Sequence, residues 1–211
     1  MVEVLLGKHR LELPYLIRIF GVSESDFDSW TDEDTKAELL DGEMIVHSPT
    51  TLRHDYLAGF LSSLMRLYTE AKGSGLVLGP NSIMHLATSR KFAPDILYIR
   101  QERVPLPLTK EFEGAADMVV EVLSESTRRY DLGEKRRMYQ EAGVTELWFV
   151  DEARQQLIID WKRETGYERE VVRAGQAKSE ALPGFWVEAA WLWQEPLPEV
   201  MACLQRILGL V

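Results

Sequence analysis

Two short apolar runs in the chain each carry one carboxylate. In "KFAPDILYIR", residues 91–100, it is Asp95; 26 positions later, in "ADMVVEVLSEST", residues 116–127, it is Glu121. Runs this apolar belong inside a sheet, where an ionised carboxylate is costly unless it is paired, hydrogen-bonded or bound to a metal. If the two strands are neighbours, both carboxylates can point at one place. Two carboxylates, a backbone carbonyl and waters make a hard, oxygen-rich site of the kind that holds Mg2+ or Mn2+. Such an ion activates water and neutralises charge building on a phosphate, which is the chemistry of metal-assisted phosphodiester hydrolysis.

That chemistry also uses a cation to orient the nucleophile and stabilise the pentavalent phosphate. Just beyond Glu121 lies "STRRYDLGEKRRMY", residues 126–139, where Arg128, Arg129, Lys135, Arg136 and Arg137 outnumber Asp131 and Glu134 in a chain of net charge −10. Asp131 and Glu134 have the spacing of a capping box, which predicts a helix from Asp131 to Ala142 ended by Gly143. Lys135 then falls one turn into the helix. As an ordinary helix residue it pairs with Asp131 at i,i+4 on a solvated face; as a catalytic cation it looks back across the strand-helix corner toward the carboxylates. Arg128, Arg129 and Arg136 are candidates for contacting a nucleic-acid backbone. Glu38 is a candidate third carboxylate, and His54 a candidate contact for metal, water or phosphate. His9, His47 and His85 have no spacing or neighbour that suggests a site.

The elements that must position these groups can be read in order. "SESDFDSWTDEDTK" at 23–36 lacks the turn glycine and closing glutamate of a calcium loop and reads as a solvated acidic loop. In "ELLDGEMIVH", residues 38–47, Asp41-Gly42 separates two alternating arms and predicts a tight hairpin. From Arg53 to Lys72, Leu57, Phe60, Leu61, Leu64, Tyr68 and Ala71 recur at helical spacing, with Gly73 as a stop. Strands are expected at "GLVLG", "SIMHLA", 94–99, 117–124 and 146–151, with a loop or edge excursion at 100–116 and a hairpin turning at Thr165-Gly166. A mixed sheet flanked by helices is the packing this order favours. The C-terminal "LPGFWVEAAWLW" holds three of the six tryptophans and is assigned to packing or to a homo-oligomer contact; a short amphipathic helix follows it.

Composition bounds the partners. A chain of 211 residues suits one domain, 1–211, with a core that buries roughly 70% of the unfolded surface. The net charge disfavours broad attraction to nucleic acid or anionic membrane, so a phosphate-bearing partner must be met locally. The lone Cys203 rules out an internal disulfide, and the charged N-terminal stretch lacks a signal-peptide core, which together point to a reducing cytoplasm and no membrane span.

"APDILYI", then "DMVVEVLSEST", then "YDLGEKRRMYQEAGVTELWFVD", preceded by "AELLDGEMIVHSP" and a helix beginning "RHDYL", resembles the restriction-endonuclease-like PD-(D/E)XK nuclease superfamily. The narrower resemblance is to its branch of small bacterial proteins grouped with restriction endonucleases. It runs from about Glu38 to Asp160 and implies an α/β fold: a nuclease core of about 38–160 with a central mixed sheet flanked by helices, added N-terminal elements, and C-terminal strands and a helix at 161–211. It implies that Asp95 and Glu121 bind the metal. The superfamily's lysine lies two residues after the second carboxylate, where this chain has Leu123; in the branch it resembles, that lysine is relocated to the following helix, at Lys135. The expected function is hydrolysis of DNA phosphodiester bonds by a Mg2+- or Mn2+-dependent endonuclease acting as a homo-oligomer. The alternative is a non-catalytic binding or assembly module that keeps the fold, in which case Lys135 should point to solvent.

Overall fold

Local signals set most element boundaries in the computed structural model, which describes residues 15–32 and 35–211 and the backbone of a small antiparallel pair, β1 (Leu5–Leu6) with β2 (His9–Arg10). After β3 (Leu16–Phe20) comes α1 (Glu24–Trp30), where a loop is expected from the sequence. The helix forms because Ser23 and Asp26 close a reciprocal capping box and Phe27 is buried beneath it. β4 (Ala37–Leu40) and β5 (Glu43–His47) form the predicted hairpin, with Asp41 at φ 49° and Gly42 at φ 88°, as a two-residue primed turn requires. α2 (Leu52–Lys72) starts at the Thr51 cap, whose hydroxyl accepts from the His54 N–H, and ends at Gly73 in the left-handed conformation.

The next strands are β6 (Gly75–Leu78), β7 (Ile83–Ala87), β8 (Arg90–Phe92), β9 (Ile96–Arg100), β10 (Glu111–Glu113) and β11 (Met118–Val122). The helix after β11 departs from the expectation. It begins at α3 (Arg128–Tyr130), passes through one π-helical turn at Asp131–Lys135 and continues as α4 (Arg136–Ala142). Asp131 is therefore inside the helix, not its cap. Single π turns recur at functional sites because they re-aim side chains. Beyond Gly143 lie β12 (Glu146–Asp151), β13 (Gln156–Arg163), β14 (Gly166–Val172), β15 (Gln176–Lys178), β16 (Trp186–Glu188), α5 (Ala189–Leu192) and α6 (Val200–Ile207). The β13–β14 turn falls one residue earlier than expected, on Glu164-Thr165, because Arg163 pairs with Gly166.

The expected mixed sheet is realised as two six-stranded ones. The first runs β10-β7-β8-β4-β5-β3 and the second β14-β13-β12-β11-β9-β6. In the second, β11 is antiparallel to β9 and parallel to β12, and the α3–α4 helix is the crossover that a parallel pair needs. Alternation divides the second sheet's residues between two cores. Ile96, Tyr98, Met118, Val120 and Trp148 meet α2 and the C-terminal elements. Leu97, Ile99, Val119, Leu147 and Phe149 meet Met138 and Tyr139 of α4 and the first sheet's Leu40, Ile45 and Phe92. The C-terminal tryptophans pack inside the chain, Trp186 and Trp191 with ring centroids 5.3 Å apart. Among the described residues, no helix is long and apolar enough to cross a membrane.

Candidate active site

Parity and register bring the two carboxylates together. In the antiparallel β9–β11 ladder Val120 pairs with Ile96 and Val119 with Leu97, so one more step places Glu121 opposite Asp95. Asp95 continues the row of Leu97 and Ile99, and Glu121 the row of Val119, the face that looks toward α4 and the first sheet. Both are buried, Asp95 4% and Glu121 3% exposed. They line a cavity of about 420 Å3 outside the carboxyl ends of the parallel strands β11 and β12, the place where open α/β sheets bind ligands.

Each carboxylate is oriented by its own set of donors. Asp95 Oδ2 accepts from the Val122 N–H at 2.9 Å and lies 3.3 Å from His54 Nε2; Asp95 Oδ1 accepts from the Lys36 ammonium at 3.1 Å. His54 Nε2 is also 2.9 Å from the Val122 carbonyl oxygen, which can only accept, so that nitrogen carries a proton. His54 thus braces Asp95 and the Val122 carbonyl through Nε2. Glu121 Oε1 accepts from the Tyr139 hydroxyl at 2.7 Å and from Lys135 Nζ at 2.7 Å.

Lys135 does not point to solvent. It is 2% exposed and bridges Glu121 to Glu38, whose Oε1 lies 2.8 Å from its Nζ. Glu38 also accepts from the Ala93 N–H at 3.2 Å and the Tyr130 hydroxyl at 2.9 Å, and lies 3.2 Å from His47 Nε2. Both Glu38 oxygens are thus engaged by the chain's own donors, Lys135 among them.

The electrostatics set Glu121 and Asp131 apart from the other two carboxyl groups. Burial alone would raise Glu38, but the Lys135 and His47 charges outweigh it and bring its pKa down to about 2. Asp95 is likewise held well below the usual carboxylate range, burial being overcome by the His54 hydrogen bond and the Lys36 charge. Glu121 goes the other way: burial, with Asp95, Asp131 and Glu38 around it, pushes its carboxyl up to about 8 despite Lys135. Asp131, also buried on the cavity wall, is pushed up to about 6 by burial against the opposing charge of Lys135. Burial lowers His54, yet the Asp95 hydrogen bond leaves it raised. Glu38, Asp95, Glu121 and Asp131 are buried carboxyl groups crowded around Lys135, with Lys36, His47 and His54 as further partners, and Glu121 and Asp131 are the two that this crowding pushes toward the protonated form. A divalent cation on Asp95 and Glu121 would favour the ionised form of Glu121, and an oxygen-only donor set suits Mg2+ or Mn2+.

Of the residues singled out from the sequence, the structure gathers Asp95, Glu121, Lys135, Glu38 and His54. It does not bring the arginines to the cavity. Arg136 turns to the far side, where its Nε meets the fully buried Asp160, and Arg128 holds the buried Asp151 at 3.0 Å. Arg129 is exposed. Sequence reasoning passed over Lys36, His47, Asp131, Tyr130 and Tyr139 as site residues. Lys36 and His47 lie at the ends of the first sheet's hairpin strands and meet the carboxylates only because that sheet packs over the second. The two tyrosines fall on the Lys135 helix at spacings of five and four, a signal that was available.

A second group also has metal-ligand chemistry. His85, Glu111 and Glu113 offer ligand atoms within 4.8 Å of one another, on the parallel neighbours β7 and β10. The Lys91 ammonium lies 3.1 Å from Glu111, one member of this group, and 2.7 Å from Asp28.

Comparison with known proteins bears on the fold and family. A family model, Uma2, described as "Putative restriction endonuclease", matches residues 25–190. The crystal structure of "a putative nuclease belonging to DUF820" from Anabaena variabilis ATCC 29413 is similar, with a TM-score of 0.72 and 15% identity over 82% of this chain and 97% of that one. At that identity the likeness is one of fold. No curated protein matches the chain.

Proposed function

The chain belongs to the Uma2 family of proteins described as "Putative restriction endonuclease", and from that premise we propose that it is a metal-dependent endonuclease hydrolysing DNA phosphodiester bonds. One observation carries this reading: Asp95, Glu121 and Lys135 converge, buried, on one cavity. Asp95 and Glu121 would hold Mg2+ or Mn2+, which when bound supplies an acidified water and charge neutralisation at the phosphate.

The chain's own groups do the rest. His54 and the Val122 N–H fix the Asp95 carboxylate, so its rotamer is set before substrate arrives. Glu38, with the Tyr130 hydroxyl and His47 on its second oxygen, anchors Lys135 from behind. The Lys135 ammonium stands where it can donate to the attacking water or to a phosphate oxygen as charge develops there, a fixed cation in a water-poor site. It takes the part that Leu123, buried in the apolar wall, cannot. Cutting both strands of a duplex suits two copies of a chain with one such cavity.

The test is cleavage of single-stranded, duplex and branched DNA with Mg2+ or Mn2+, by the unsubstituted chain and by Asp95→Ala, with circular dichroism to show that both fold. Metal-stimulated cleavage lost in Asp95→Ala is the expected result. No cleavage of any of these substrates overturns the reading for them.

A further inference from the structure

The Lys36 ammonium occupies the one oxygen of Asp95 that the fold leaves open. Asp95 Oδ2 is committed to Val122 and His54, while Oδ1 accepts from Lys36 at 3.1 Å. A divalent cation shared with Glu121 competes for Oδ1, and an ammonium and a metal ion on the same carboxylate oxygen repel each other. Lys36 can yield. Its side chain is 27% exposed and is carried just ahead of β4, whereas Lys135 is locked between two buried carboxylates.

Where it goes is constrained by what lines the cavity. Besides Lys36 and Lys135, the basic groups of the wall are His47, held by Glu38, and His54, held by Asp95 and the Val122 carbonyl oxygen; the rest includes hydroxyls such as Ser48 and Thr127 and the carboxyl groups of Glu125 and Glu152. Arg53, near the rim, is tied to Glu152 and to the Leu192 and Gln194 carbonyl oxygens. In a chain of net charge −10 the phosphate must be met by a local cation. Resting on the nuclease reading above, we propose that Lys36 is a substrate-binding residue with two positions: on Asp95 Oδ1 when that oxygen holds no metal ion, and on a phosphate of the nucleic acid once an ion takes Oδ1. Metal and substrate are thereby coupled, since the ion that readies the water also frees the cation that grips the strand.

Lys36→Met keeps the side-chain stem and removes the charge; Lys36→Arg keeps the charge. Calorimetric titration of Mn2+ into the full chain without DNA should show Lys36→Met binding about three- to fivefold more tightly than the unsubstituted chain, the size expected for losing a partly exposed ion pair. Lys36→Arg should stay near the unsubstituted value. With saturating Mn2+ and a phosphorothioate single-stranded oligonucleotide that resists hydrolysis, Lys36→Met should bind more weakly. The slope of its log affinity against log salt should be smaller by about 0.7, the value for one phosphate contact on a single strand. Thermal melting identifies a variant that has not folded, and Lys36→Gln, which also removes the charge, then replaces Lys36→Met in both measurements. Mn2+ affinity in Lys36→Met equal to or below that of the unsubstituted chain overturns the first position, and an unchanged salt slope overturns the second. If the unsubstituted chain binds no Mn2+, the metal reading falls and this one with it; if binding is lost in Asp95→Asn but unchanged in Lys36→Met, this one falls alone.

Discussion

Lys135 Nζ lies 2.7 Å from Glu121 Oε1 although 14 residues of chain separate them. The contact exists because the helix leaving β11 doubles back over the strand's own face, with a π turn ending at the lysine. Removing the ammonium would leave Glu121 and Glu38 buried without their counter-charge, an error that costs about 3–5 kcal/mol. We expect Lys135→Ala to lose stability of that order in denaturant titrations without metal, and Mn2+ to restore part of it. DNA cleavage by Lys135→Ala, measured with saturating Mn2+ where the chain is folded, should still fall by about 100-fold or more, as when a fixed transition-state donor is removed.

Glu38 tests whether anchoring is separable from metal binding. Its folded pKa of about 2 is below the ordinary 4.5, so it contributes stability that is present above pH 4.5 and lost as pH falls toward 2. Glu38→Gln should be less stable than the unsubstituted chain at pH 7, and the gap should narrow below pH 4.5 and close only near pH 2. Its Mn2+ affinity by calorimetry should change by less than about threefold, since both Glu38 oxygens are engaged by the chain's own donors; a loss as large as that of Asp95→Asn would make Glu38 a ligand.

Glu121 gives the opposite sign. Its carboxyl, pushed up from 4.5 to about 8, holds a proton in the folded chain across that window where the unfolded chain has released it. In metal-free buffer this makes stability fall as pH rises from about 4.5 to 8, by at most about 1.4 kcal/mol per unit. Thermal melts with chelator should show Glu121→Gln gaining on the unsubstituted chain over that range. Because an ion needs the deprotonated form, Mn2+ affinity should rise with pH up to about 8, with proton release seen as a dependence of the calorimetric heat on buffer.

Arg136 and Arg129 separate a structural arginine from an exposed one. Arg136→Ala leaves the fully buried Asp160 with Arg169 and Gln140 alone, and should cost about 1–3 kcal/mol of stability with no change in oligonucleotide affinity. Arg129→Ala should leave thermal stability unchanged. Fluorescence anisotropy with a labelled oligonucleotide checks the binding half of the Arg136 expectation, and thermal melts check the stability of both variants.

Much of the frame is legible in the chain because local rules act alone there. Asp41-Gly42 can adopt the positive φ angles that its hairpin needs, and Thr51 and Gly73 bracket α2 by capping chemistry. The alternation of 117–124 puts Glu121 and Leu123 on one face before any partner strand is known. The acidic stretch at 23–36 was misread because the burial of Phe27, which anchors α1, depends on a cluster with Leu39 and Met44 from the hairpin. Asp131 has the spacing of a cap, yet the helix starts earlier because the Ser124–Thr127 hydroxyl turn lets it begin at Arg128.

The sequence by itself singled out the two carboxylates, because strand parity is a property of neighbouring residues, and its resemblance to the nuclease superfamily implied the lysine missing at Leu123 and its replacement at Lys135. Only the tertiary structure decided that Glu38 clamps Lys135, that His54 braces Asp95, that Lys36 shares Asp95 Oδ1 and that Arg136 belongs to Asp160. Those partners are 24 to 97 positions apart, and what joins them is the packing of helices and of the first sheet against the second, which buries charge and so forces each group to find its counterpart across the fold.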